Sequence, residues 1–244
     1  MNGFIFKIFL FFVFVLSDSI VPIIAQTSSV SRTNQMEPQH YVKDSLHWDM
    51  KKLDTARDSV YLQQIERNVI LELNMARTNP KKYAELYIKP MLSKFDGTVY
   101  KSNDDRWMQT KEGSKAVEEC IKELNSATPC LIIYPNKKLY KMSKYHADLQ
   151  GKTEQIGHNC PNGETFIQRI KKFKIPYYCC AENIDYGQNS AREIVVSLLV
   201  DDGVPSRGHR TNILNNFYNK IGVYYGTHKK YGYMCVMDFV GYND

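Results

Sequence analysis

Apolar residues recur along the middle of the chain at helical spacing. Leu62, Ile65, Val69, Leu71, Leu73 and Met75 supply the apolar positions of a helix from Val60, and Thr78-Asn79-Pro80 breaks the pattern. Pro80 suits the first turn of a second short helix, over 81–87. Between 88 and 110 the period is lost, which reads as an irregular surface loop with a turn at Asp96-Gly97. Residues 111–124 are amphipathic, with Ala116, Val117, Cys120, Ile121 and Leu124 on one face. A short apolar run at 131–134 follows. Asn136 then caps a helix to about Thr153 that carries Leu139, Met142, His146 and Leu149 on one side. A further short helix is expected over 165–174.

The period changes after Pro176. Residues 177–186, rich in aromatics and containing Glu182, read as a strand. Ser190-Ala191-Arg192-Glu193 has the spacing of a capping box, so a helix should start at Ser190. Its apolar stripe runs through Val195, Leu198 and Leu199. Asp202 continues that stripe, so Asp202 is aimed toward the core and Asp201 less so, with Gly203 as the stop. A loop containing Gly203 and Pro205 leads to His209. Residues 221–225 and 231–240 form a hairpin turning at 226–229, which leaves His228 as an exposed turn residue. Helices around a small, mainly antiparallel sheet make an α+β fold.

The first 25 residues stand apart. Lys7 precedes nine apolar residues at 8–16, Ser17-Asp18-Ser19 interrupts, and an apolar run resumes at 20–25. The uninterrupted run is shorter than the roughly 20 residues that cross a bilayer. Residues 1–25 therefore read as a secretory signal peptide cut after Ala25 or Ser19. Residues 26–55, polar and without period, read as a flexible extension, and 56–244 as the folded domain. The mature chain is expected to be secreted, extracellular and without a membrane span.

Lys and Arg number 32 against 26 Asp and Glu, a net charge of +6. The basic residues are scattered apart from Lys171-Lys172-Phe173-Lys174 and Lys229-Lys230, and no nucleic-acid motif accompanies them, so nucleic acid is not an expected partner. An attraction to anionic lipid surfaces remains open. All six cysteines, Cys120, Cys130, Cys160, Cys179, Cys180 and Cys235, lie beyond residue 25. An even count in an exported chain implies disulfides. Cys120 and Cys130, close in sequence, are expected to pair. The adjacent Cys179 and Cys180 cannot easily bond to each other, so the other four cysteines would make two more bonds.

Candidate chemistry is concentrated between 158 and 215, in Gly157-His158-Asn159-Cys160, Cys180-Ala181-Glu182-Asn183, Asp201-Asp202 and Ser206-Arg207-Gly208-His209. Two histidines and two acids could meet there if the intervening elements fold back. A carboxylate aimed inward is costly unless it is paired. His146 lies on an apolar helix face, reads as a hydrogen-bonded core residue and is left out of the site.

Three segments in order, Ile-Leu-Glu-Leu-Asn-Met-Ala-Arg-Thr-Asn-Pro at 70–80, Ala-Glu-Asn-Ile at 181–184 and Gly-His-Arg-x-Asn-Ile-Leu at 208–214, resemble the CAP superfamily. That group comprises cysteine-rich secretory, antigen 5 and pathogenesis-related 1 proteins, also called SCP-like extracellular proteins, and the resemblance covers roughly residues 60–242. It implies an α-β-α sandwich with a central cleft lined by two histidines and two acids, which in many members bind zinc or another divalent cation. By motif the metal ligands would be His158 and His209, and the cleft acids Glu182 and Asp202. Asp202 stands where the family usually has Glu, and Leu199 where it has Trp. The shorter side chain of Asp202 counts against direct metal contact. Asn183 and Asn212 would hold the loops by side-chain hydrogen bonds.

The favoured expectation is a secreted binding module that engages a lipid, sterol or extracellular protein. The alternative is a metal-dependent, protease-like hydrolase using Glu182 and His209. A Ser206-His209-Glu182 triad is a weaker form of it, since no Gly-x-Ser-x-Gly elbow surrounds Ser206. A channel-modulating toxin is not expected, because members of that type add a cysteine-rich module after the domain.

Overall fold

The computed structural model describes residues 47–102 and 105–242; the expected signal peptide and the extension up to residue 46 lie outside them. Helix α1 (Met50–Leu53) is one turn capped by Asp49, whose carboxylate accepts from Lys52 N. Helix α2 (Gln64–Thr78) opens with Glu66 accepting from Gln63 N at 2.6 Å. Asn79 then caps α3 (Pro80–Tyr83), with Pro80 in its first turn. The chain continues as a π turn (Ala84–Ile88) and a 3-10 segment (Lys89–Lys94). Strands β1 (Phe95–Asp96), β2 (Val99–Lys101) and β3 (Trp107–Gln109) form a small antiparallel sheet. Next come α4 (Ser114–Ser126), β4 (Tyr134–Pro135), α5 (Lys137–Gln150), α6 (Phe166–Lys172), β5 (Cys179–Tyr186), α7 (Ala191–Val200), α8 (Gly208–Ile213), β6 (Lys220–His228) and β7 (Gly232–Gly241). No helix among the described residues is long and apolar enough to cross a membrane.

The main sheet has the order β4-β6-β7-β5, with β4 parallel to β6 and the other pairs antiparallel. Side chains alternate across a strand, and β7 shows the result. Cys235, Met237 and Phe239 enter the larger core with Val69, Ile70 and Leu73 of α2, Val117 and Leu124 of α4, and Ile194 and Leu198 of α7. Met234, Val236 and Val240 turn the other way, against α5 residues Leu139, Met142 and Ala147. Helices therefore cover both faces, and the chain is an α+β, α-β-α sandwich. Gly222 sets the closeness of α5: a Cβ there would come within 2.2 Å of the Leu139 backbone.

A buried cation ties the beginning of the fold to its end. Arg77, fully buried in the last turn of α2, donates from Nη1 to Ile213 O (2.6 Å) and Asn215 O (2.9 Å). Its Nη2 donates to Leu131 O (2.9 Å) and Tyr218 O (3.0 Å), and Nε also reaches Leu131 O. Two connecting segments, before β4 and before β6, thus share one guanidinium as their backbone partner.

Several expectations are corrected. The stretch 88–110 is not an irregular loop but includes β1–β3. Strands of two or three residues are too short to show a period of two. The loop containing Gly203 and Pro205 leads into a helix, α8, that already holds His209. The hairpin turns at 229–231, because β6 runs on through Gly226, Thr227 and His228 to pair with β7. His228 is consequently 2% exposed, donates from Nε2 to Gln155 O (2.9 Å) and packs its ring against Tyr186. Residues 47–55, assigned to the extension, pack on the domain: Trp48 and Leu53 join the core, and Thr55 Oγ1 donates to Ile133 O.

None of the three expected disulfides is present in the structure, where all six cysteines are unbonded. Register explains part of this. Cys180 lies opposite Val240 and Cys235 opposite Asp185. Five residues of β7 separate those positions, roughly 17 Å at the usual rise, whereas bonded cysteines keep their Cα atoms within roughly 7 Å. Cys235 faces the larger core, while Cys160 packs beside His146 on the α5 side.

Asp185 lies buried on β5, and its Oδ1 has no hydrogen-bond partner. Burial pushes its carboxyl up to about 7, against the lowering effect of the Ser197 hydroxyl and Gln188 N–H. An unfolded Asp titrates near about 3.9, so the folded chain binds this proton more tightly. The stability it contributes is complete below about pH 4 and is lost as pH rises through 7. The unfolding free energy should therefore fall by roughly 2 kcal/mol between pH 5 and 7 from this group, and Asp185→Asn should flatten that part of the profile. Urea titrations in which wild type and variant show the same pH slope would exclude this role.

Candidate functional site

Strand β5 lies at the edge of the sheet, and its alternation sorts the candidate residues. Glu182 sits opposite Asp238 of β7 and faces α5. Asn183 faces the other way, toward α8. One histidine–carboxylate pair forms on each side.

On the α5 side, the connection between α5 and α6 brings His158 back over β5. His158 Nδ1 donates to Glu182 Oε1 (2.9 Å), and Arg169 of α6 donates from Nη2 to Glu182 Oε2. Arg169 Nη1 also holds His158 O (2.8 Å), so one buried guanidinium positions both members of the pair. Burial raises the Glu182 carboxyl, but Arg169, His146 and His158 outweigh it and hold the group well below the usual carboxylate range. Asp238 is pushed well up by burial and by the neighbouring Glu182. It accepts from Ser143 Oγ at 2.7 Å.

The support beneath this pair was only partly visible in the sequence. His146 is fully buried, as its helix face suggested. Its Nε2 donates to Gly157 O (3.2 Å), so Nδ1 accepts from the Cys160 thiol (3.2 Å). Burial lowers its pKa to about 4, and it props the 157–160 turn from below. Tyr186 Oη accepts from Gly157 N (2.9 Å) and donates to Gln150 Oε1 (2.5 Å). The one sequence signal for the placement of Arg169 was the capping pair Thr165 and Gln168, which sets the start of α6.

On the opposite side the second acid is Asp201, not Asp202. Asp201 ends α7 in the left-handed conformation (φ 55°, ψ 42°). This turns its carboxylate over the start of α8. Oδ1 accepts from His209 Nδ1 (2.6 Å), and Oδ2 accepts from His209 N (2.9 Å) and Arg210 N (3.4 Å). Asp202 points elsewhere: its oxygens accept from Lys111 N (2.6 Å) and Glu112 N (2.9 Å) and pin the segment before α4. Extending the apolar stripe to 202 assumed a continuing helix, whereas α7 stops at Val200 and one left-handed residue redirects the backbone beyond it. Arg207, also left-handed (φ 48°), ties the loop to α4 through Glu119 and to the segment before it through Glu112, both at 2.7 Å. Asn183 Nδ2 donates to His209 O (3.0 Å), and Asn212 Nδ2 donates to Asn183 Oδ1 (2.8 Å).

These contacts limit the chemistry. Glu182 orients His158 rather than His209, so a Ser206-His209-Glu182 relay is not assembled, and Ser206 is exposed. Each histidine gives Nδ1 to a carboxylate, which leaves Nε2 as the atom available to a cation or ligand. Each oxygen of both carboxylates already accepts a hydrogen from the protein. Among the described residues no three His, Cys, Asp or Glu side chains converge on one point. A zinc ion with three protein ligands, the usual minimum for a catalytic site, does not fit this donor set. Two imidazoles, His158 and His209, remain as possible cation ligands.

No curated protein matches the chain. Among solved structures it is similar to an extracellular protein containing an SCP domain from Bacillus anthracis, at 19% identity over 46% of this chain and 35% of that one, TM-score 0.39. It is also similar to an outer surface protein of Borrelia burgdorferi, at 25% identity over 53% of this chain and 89% of that one, TM-score 0.40. A cysteine-rich secretory protein of Staphylococcus aureus aligns at 13% identity over 59% and 54% of the two chains, TM-score 0.36. The chain thus spans about a third of the first of these proteins. Residues 100–239, more than half of the 244, match the CAP family of cysteine-rich secretory proteins, and the chain belongs to that family.

Proposed function

We propose that this CAP domain is a secreted binding module that engages a lipid, a sterol or an extracellular protein, rather than a hydrolase. The observation that supports this reading is that every oxygen of both carboxylates already accepts a hydrogen from the protein. Glu182 is held by His158 and Arg169, and Asp201 by His209 and Arg210. A metallohydrolase needs an open metal site, a general base and donors for the developing oxyanion. Neither carboxylate is free to act as a base, and the metal would lack a third protein ligand. Two positioned imidazoles suit hydrogen bonding to a ligand's polar end, with affinity drawn from apolar contact. The side chains proposed to hold zinc or another divalent cation are His158 and His209, each of which keeps Nε2 clear of its carboxylate.

The test uses the secreted chain beside His158→Ala/His209→Ala, with and without zinc, on broad peptide and ester libraries. Neither protein should show turnover, and native mass spectrometry of the wild type should show a retained lipid or captured protein. Calorimetry should give zinc binding that either single variant weakens by roughly tenfold or more. Turnover in the wild type that disappears in the double variant would overturn the binding reading.

A further inference from the structure

We propose that the end of the main sheet where β4 and β6 begin and β7 finishes is a docking surface for an anionic lipid bilayer. Seven large apolar side chains are exposed among the described residues, and four of them lie here: Leu131 (67%), Tyr134 (46%), Tyr178 (50%) and Phe217 (69%). They are neighbours. Tyr178 Oη donates to Phe217 O (3.1 Å), and Leu131 N donates to Asn216 Oδ1 (2.8 Å). Tyr134 N donates to Asn219 O (3.0 Å), and the Lys220 ammonium lies over the rings of Tyr134 and Tyr242. A clustered apolar patch on a protein surface usually marks an interaction site.

The exposure is built in. Leu131 is presented by the segment whose carbonyl Arg77 holds, and Phe217 sits between Asn215 and Tyr218, whose carbonyls the same guanidinium holds. Phe217 N donates to Asn215 Oδ1 (2.9 Å), which closes the turn behind the ring. These two side chains are held out on hydrogen-bonded backbone and cannot fold back to cover themselves.

Charge selects the occupant. The segments that converge at this end, 127–138, 173–179, 214–220 and 239–242, contain Lys137, Lys138, Lys174 and Lys220 and no Asp or Glu, in a chain with 26 acids among 244 residues. Asp244 lies outside the described residues. Aromatic and aliphatic side chains surrounded by lysines match the headgroup region of an anionic membrane, where rings settle at the interface and lysines meet lipid phosphate. Protein interfaces are instead depleted in Lys. The rim shares no residue with the two histidine–carboxylate pairs, so it stands or falls separately from the reading of that site.

The experiment is vesicle flotation of the secreted chain with phosphatidylcholine alone and with phosphatidylcholine containing phosphatidylglycerol. Binding is expected only to the second, and it should weaken as salt is raised. Phe217→Ser and Leu131→Ser should each reduce partitioning by roughly tenfold with unchanged thermal unfolding. Lys138→Glu/Lys174→Glu should reduce it without touching an apolar group. Trp107→Ser, exposed on the small sheet, should bind like wild type. Absence of binding, or equal binding by Phe217→Ser and Trp107→Ser, overturns the proposal. So does a dimer that Phe217→Ser dissociates in the absence of vesicle binding, which would give the rim to a second copy of this chain.

Discussion

Arg77→Met should lower the unfolding free energy by about 4 kcal/mol. Methionine fills much of the same volume, so the loss would come from hydrogen bonding and not from a cavity. Arg77 is the side-chain donor to Leu131 O, Ile213 O, Asn215 O and Tyr218 O. A buried carbonyl left without a partner costs roughly 1–3 kcal/mol, and Asn215 and Leu131 can recover some of that from water. Arg77→Lys should recover less than half of the loss, because an ammonium cannot span carbonyls that a planar fork reaches from opposite sides. Chemical denaturation measures both. A loss under about 1 kcal/mol in the methionine variant would mean that the two segments hold their shape without the clamp.

Arg169→Met should be comparably damaging, by about 3–5 kcal/mol, because it strands a buried carboxylate. Glu182 would keep His158 and the neighbouring Asp238 but lose its guanidinium counter-charge. The double variant Arg169→Met/Glu182→Gln should be markedly more stable than Arg169→Met alone, since the stranded charge is gone. The pH dependence gives a second readout. In the wild type the Glu182 carboxyl is held below its unfolded value, so its contribution is present above about pH 4.3 and is lost only as pH falls through the depressed value. Without Arg169, burial dominates and the carboxyl moves above its unfolded value, so the variant loses stability as pH rises past about 4.3. The gap between wild type and variant should therefore widen from pH 4 to 7. A constant gap would show that Arg169 acts by packing and not by charge.

Much of this architecture was legible because caps are local. Asn136, Thr165 and Ser190 mark the starts of α5, α6 and α7 by the hydrogen bonds their side chains accept, and those signals need no tertiary knowledge. The two arginines were not legible. Arg77 in the last turn of α2 reads as an ordinary cation at a helix C-terminus, and Arg169 reads as part of a basic surface stretch. Their partners are mostly backbone carbonyls or a carboxylate far along the chain, which no periodicity encodes. The candidate site was half visible. His158, Glu182, Asn183, His209 and Asn212 followed from the motifs. The choice between Asp201 and Asp202 depended on where α7 stops, and helix ends are where spacing arguments are weakest. His228 was misplaced for the same reason, since a hairpin turn moved by three residues carries a side chain from solvent into the core.

The left-handed aspartate that ends α7 restricts which sequences can occupy this fold. Asp201 meets two demands at once: it supplies a backbone conformation that few residues adopt, and it places a short carboxylate over His209. Glycine would satisfy the turn and discard the carboxylate. Asparagine would keep the turn and lose the charge. Glutamate would keep the charge, but its longer side chain resists the left-handed backbone. No single substitution keeps both properties, whereas Asp202 is asked only to accept two amide hydrogens.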